Sequence, residues 1–119
     1  MRILVLGIAG AAGALSRYGI GVLFGGRSFP WPTLGINVVG SLLLGIVMVV
    51  GPSRLSATTT LALGVGFLGA FTTFSTFSYE TVTMFRDGRP IAALAYVAVS
   101  TVLGVAAAAI GYRLGQSLL

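Results

Sequence analysis

The sequence predicts an all-α membrane protein, a single domain of four transmembrane helices with the third broken at mid-membrane. Three observations carry this expectation. The 119-residue chain is 56% hydrophobic and 8% charged, with a mean hydropathy of +1.04. Charged residues make up about a quarter of an ordinary soluble domain, so this chain lacks a polar shell to cover itself in water. It also contains four apolar runs near the roughly 20 residues that a spanning helix needs: 3–24, 33–50, 58–78 and 90–112.

The first run follows Arg2 and opens "MRILVLGIAGAAGA", which resembles a signal peptide in its basic start and small residues. Three comparable runs follow, so it reads as the first membrane helix. "GGRSFPWP", "GPSRLSA" and "YETVTMFRDGR" separate the runs, each supplying Gly, Pro or charge as punctuation. Pro90 suits the first turn of the fourth helix, where a missing N–H costs nothing. Eighteen glycines are many for helices, and small residues let membrane helices approach closely. Gly21 and Gly25, Gly111 and Gly115, and Ala9 and Gly13 all have the four-residue spacing for such contact.

In the third run, Gly64, Gly66 and Gly69 precede the β-branched pair Thr72–Thr73, and both features weaken a helix. At about 1.5 Å per residue from Thr58, Gly69 lies roughly 17 Å deep, near the middle of a core about 30 Å thick. A break there frees carbonyls that must be buried in protein or met by a cation.

Charge sets further bounds. The net charge of +5 comes from seven arginines against Glu80 and Asp87. The arginines fall singly or in pairs between apolar runs and form no basic face, which argues for headgroup anchoring and against nucleic acid. Arg2, Arg54 and Arg113 lie on one side and Arg27, Arg86 and Arg89 on the other, while Arg17 lies within the first apolar run, towards the second side; the positive-inside rule therefore gives almost no preference. An undecided tally permits insertion both ways and hence antiparallel pairs; four short helices leave little room for a pathway within one subunit.

The chain has neither Cys nor His, so disulfides, thiolate metal sites and the usual proton shuttle are all ruled out. With its two acids both in the third connection, it has no base to activate Ser or Thr, and an enzyme is not expected. No carboxylate lies in mid-helix, which disfavours the chief rival, a proton-coupled drug or cation transporter. A non-transporting subunit of a larger membrane assembly is the third class.

The interior polar groups are therefore the candidates for function. Isolated hydroxyls such as Ser41 and Thr101 normally bond back to a carbonyl one turn earlier. Asn37, with two donors and two acceptors, is either packing glue between helices or a pore-lining donor. The eight residues Phe71–Ser78 hold five hydroxyls and three phenylalanines. Phe74 and Phe77 share a helix face, with Phe71 on the same stripe. Such a stripe faces lipid or core, or turns its electropositive ring edges towards a small anion.

These residues carry a resemblance. "GAAGALSRYGIG" (10–21), "TLGINVVGSLLLG" (33–45) and "GFLGAFTTFSTFSYE" (66–80) together resemble the Fluc/CrcB family of fluoride channels, over nearly the whole chain. The resemblance implies an antiparallel, dual-topology homodimer in the plasma membrane. It would hold two passive fluoride pathways that relieve fluoride toxicity. It further implies that Phe74 and Phe77 face fluoride with their ring edges and that Asn37 donates to the anion. Thr73, Tyr96 and Ser100 would also line the path, with Arg17 in the aqueous vestibule. Carbonyls of Gly69 and Thr72 from both subunits would hold a structural Na⁺. Gly104 stands where a second hydroxyl of the fourth helix can occur, and no role is implied for Glu80.

Overall fold

A computed structural model describes all residues, 1–119. Helix α1 spans Arg2–Phe24 and α2 spans Trp31–Arg54. The third span, Ala57–Arg86, is composite: α3 (Ala57–Leu61), a π-helical segment (Ala62–Leu68), α4 (Gly69–Phe71) and α5 (Phe74–Arg86). Helix α6 spans Pro90–Ser117. Four spans are long and apolar enough to cross a membrane. Only 18 of 119 residues are buried, so most of the apolar surface faces outward, as lipid or a partner requires.

Local chemistry explains most boundaries. Pro32 and Pro90 sit in the first turns of α2 and α6, and Ser56 caps α3 by accepting from the Thr59 N–H at 3.1 Å. Gly26 and Gly88 take left-handed φ values of 80° and 72°, which supply the turns beside α2 and α6. The segment "YETVTMFRDGR", expected to be a connection, is helical as far as Arg86. Thr81 and Thr83 bond back to carbonyls four residues earlier, which lets a polar stretch stay helical.

The glycines of the third span act otherwise than expected. Gly64 and Gly66 lie in the π-helical segment, and the break falls later, at Thr72 (ψ 159°) and Thr73 (φ −153°, ψ 119°). The small residues instead permit close packing. A methyl at Gly13 would lie 2.1 Å from the Phe67 carbonyl oxygen, and one at Gly111 would lie 2.1 Å from that of Leu42. The Gly111/Gly115 pair thus seats α6 on α2, whereas Gly21 meets nothing within 4 Å and contributes no such seam.

The most extensive helix pairing joins α2 and α6, which run parallel. Thr33 pairs in level with Tyr96 through a shared partner, Ser41 with Gly104 and Gly45 with Ala108, each pair 63 positions apart. Around this seam sits a small core of Leu34, Met84, Ala93 and Tyr96, flanked by Phe29, Val38 and Phe77. The two ends are tied by arginines: Arg89 donates to the Ser28 carbonyl at one, and Arg54 donates to the Leu118 carbonyl at 3.0 Å at the other.

Candidate functional site at the break in the third span

The break is held by two side chains, one from α2 and one from the break itself. Asn37 on α2 accepts the Thr73 N–H on Oδ1 at 2.8 Å and donates Nδ2 to the Thr73 carbonyl at 3.0 Å. Its amide thus mimics an adjacent strand and holds Thr73 extended. Thr73 then caps α5: its Oγ1 accepts from the Thr76 N–H at 3.2 Å and donates to the Thr76 hydroxyl at 3.0 Å. Gly40 leaves room for Thr72, whose Cγ2 would lie 2.2 Å from a methyl at that position.

This arrangement redirects two amides. An unbroken helix would send the Thr73 N–H to the Gly69 carbonyl and the Thr76 N–H to that of Thr72. Both donors are spent elsewhere, so these carbonyls lose their helical partners. Gly69 is exposed on the subunit surface. Arg17 donates Nη1 to the Thr72 carbonyl at 3.5 Å, a weak contact at the limit of hydrogen bonding. No cluster of three His, Cys, Asp or Glu side chains could hold a metal. Two freed carbonyl oxygens at one break are nonetheless the hard-oxygen donors that a cation such as Na⁺ takes.

Beyond the break, aromatic rings and hydroxyls converge. Phe77 packs on Tyr96 with ring centroids 5.0 Å apart and planes at 65°, an edge-on contact. Phe74 lies 5.8 Å from Phe77 but is 80% exposed on the subunit. Phe71 departs from the expected stripe. The break separates it from Phe74, and it is buried, stacked on Phe67 at 5.8 Å.

Glu80, given no role by the sequence, joins three elements. Its Oε1 accepts from Thr33 of α2 and its Oε2 from Tyr96 of α6, both at 2.7 Å. Tyr96 is fully buried, and Ser100, one turn further along α6, holds a buried hydroxyl with no partner. The constant register puts Asn37 level with Ser100. Neither Thr33 nor Glu80 lies in the middle of an apolar run, so hydropathy does not mark them as interior groups. The four-residue spacing of Thr33, Asn37 and Ser41 is the signal for Thr33, and Glu80 has none.

A cavity of about 810 Å³ opens between the α1–α2 and α5–α6 connections. Arg17, Arg27 and Arg89 line it together with Glu80 and Asp87, and Thr73 and Thr76 lie at its walls. Arg17 thus stands in a polar vestibule whose positive groups outnumber its acids, a field that attracts anions.

A model of the family described as CrcB-like protein, Camphor Resistance (CrcB), matches residues 4–112. The chain belongs to the CrcB family. Among its relatives in that family, the "Fluoride-specific ion channel FluC 1" of Symbiobacterium thermophilum is 46% identical, over 97% of this chain and 98% of its own. The "Fluoride-specific ion channel FluC" of Thermus thermophilus is 44% identical, over 98% of this chain and 97% of its own. The "Fluoride-specific ion channel FluC 2" of Moorella thermoacetica is 45% identical, over 99% of each chain.

Proposed function

We propose that this chain is a passive, fluoride-selective channel of the cell membrane, with no enzymatic activity, that lets fluoride out and so relieves its toxicity. One observation in the fold carries the reading: an edge-on pair of rings, Phe77 and Tyr96, continues into the unpaired buried hydroxyl of Ser100. Fluoride is small and tightly hydrated, so amide, hydroxyl and ring-edge donors must replace its water. A full positive charge in mid-membrane would bind the anion without releasing it. Here Arg17 reaches the break only through a weak contact with the Thr72 carbonyl, the other arginines lie towards the ends, and the remaining donors along the path are uncharged.

The path runs from the vestibule at Arg17, past Thr73 and Asn37, along Phe77, Tyr96 and Ser100. Asn37 spends one Nδ2 hydrogen on the Thr73 carbonyl and keeps the second for the anion. Phe74, exposed on one subunit, is completed by a second, antiparallel copy that gives two pathways per dimer. The near-even distribution of arginines, three against three with Arg17 inside the first span, supports insertion in both directions. Gly69 and Thr72 of each copy would hold a structural Na⁺ on the two-fold axis, contacted equally by both. When bound, this ion offsets the cost of bringing an anion into a low-dielectric interior.

Purified protein in liposomes loaded with both anions tests the proposal. A fluoride electrode should record rapid efflux after the potential is released, while chloride stays inside. Fluoride retention, or equal loss of both anions, would overturn it.

A further inference from the structure

We infer that Ser41 on α2 is a further donor along the fluoride path and supplies the hydroxyl that α6 lacks at Gly104; this rests on the channel reading above. Hydroxyls in these helices have a default fate. Ser16, Thr72, Ser78, Thr81, Thr83 and Thr101 each donate to the carbonyl four residues earlier. Such bonds leave the hydroxyl hydrogen spent on backbone. Two hydroxyls of the α2–α6 seam depart from the pattern, as Ser53, Thr58 and Ser75 do away from it. Ser100 is buried without a partner, and Ser41, half-buried, makes no hydrogen bond to protein.

Their placement is ordered. Thr33, Asn37 and Ser41 recur every four residues on one face of α2, level with Tyr96, Ser100 and Gly104 on α6. The first pair meets at Glu80, and in the second Asn37, which spends one Nδ2 hydrogen on the Thr73 carbonyl, stands level with Ser100 by register. In the third pair, Ser41 Oγ lies 3.9 Å from where a Gly104 Cβ would stand and is the nearest group to it. A serine at 104 would put its hydroxyl within reach of the space that Ser41 already serves. Eight residues of α2 cover about 12 Å, so Ser41 carries the line of donors about one turn past Ser100. The unspent Ser100 hydroxyl costs free energy where it is buried, the accessible Ser41 hydroxyl lies one turn beyond it, and a passing anion is a partner that both can meet.

The test is fluoride efflux from liposomes with Ser41→Ala, Ser41→Cys and the double variant Ser41→Ala/Gly104→Ser. Ser41→Ala should slow efflux about tenfold, the effect of one donor lost from the barrier. Ser41→Cys keeps the volume with a weak donor and should also be slow; it stands in if the alanine variant fails to fold. Restoring a hydroxyl from α6 in the double variant should return most of the rate, which a packing role for Ser41 would not. Wild-type efflux from both single variants, or slow efflux unrescued by Gly104→Ser, would overturn the inference alone. Absence of fluoride efflux from wild-type protein would overturn it together with the channel reading.

Discussion

Replacing Asn37 by leucine keeps the branching of the side chain and removes both hydrogen bonds to Thr73. The cost follows from those two contacts, at 2.8 and 3.0 Å, to a residue that is 8% exposed. In membrane proteins such bonds average about 0.6 kcal/mol and reach about 1.7. Leaving a buried backbone group unpaired costs about 1–3 kcal/mol. Part of this is recovered, because the freed Thr73 N–H can return to the Gly69 carbonyl and restore helix. A net loss of about 1–2 kcal/mol is therefore expected, with fluoride efflux abolished because the extended segment is no longer held. Asn37→Asp keeps the acceptor for the Thr73 N–H and should lose about half as much stability. Its carboxylate repels the anion, so it should conduct no better. Denaturant unfolding followed by circular dichroism, beside liposome efflux, reads both quantities. Unchanged stability and efflux in Asn37→Leu would refute the account of how the break is made.

Phe77→Ile should stop fluoride efflux while the protein elutes from a sizing column at the wild-type volume; undiminished efflux would remove the ring-edge mechanism. Tyr96→Phe keeps the ring on Phe77 but withdraws the hydroxyl from Glu80. Efflux should fall about tenfold or more, the loss expected when one charge-assisted hydrogen bond of about 1.5–3 kcal/mol is deleted. Gly111→Val would force α6 away from the Leu42 backbone, since even a methyl there would lie 2.1 Å from its carbonyl. Cores pay about 1–3 kcal/mol for overpacking, so the variant should unfold at lower denaturant or fail to assemble.

Hydropathy and length made the four spans legible, because lipid forces each crossing to be a long apolar helix. The break was legible only in part. The glycine run at Gly64–Gly69 drew attention to the right region, but Gly64 and Gly66 belong to a π-helical segment. The extended backbone lies at Thr72–Thr73 because Asn37, 36 positions away in sequence, redirects its amide. Such long-range pairing has no local signature. The same break moved Phe71 off the stripe it would share with Phe74 on a continuous helix. Glu80 read as part of a connection because its neighbours are polar, yet α5 continues through it to Arg86 and delivers it to Thr33 and Tyr96. Gly104 marked a gap on α6 that only the α2–α6 register could fill, by bringing Ser41 opposite.

The claim beneath all of this is that uncharged donors suffice to pass one halide and refuse the next. Planar-bilayer recording with potassium fluoride on one side and an equal concentration of potassium chloride on the other measures that choice. Fluoride selectivity predicts a reversal potential far from zero, of the sign that holds fluoride back on its own side. A reversal near zero, where both halides carry current equally, would contradict it.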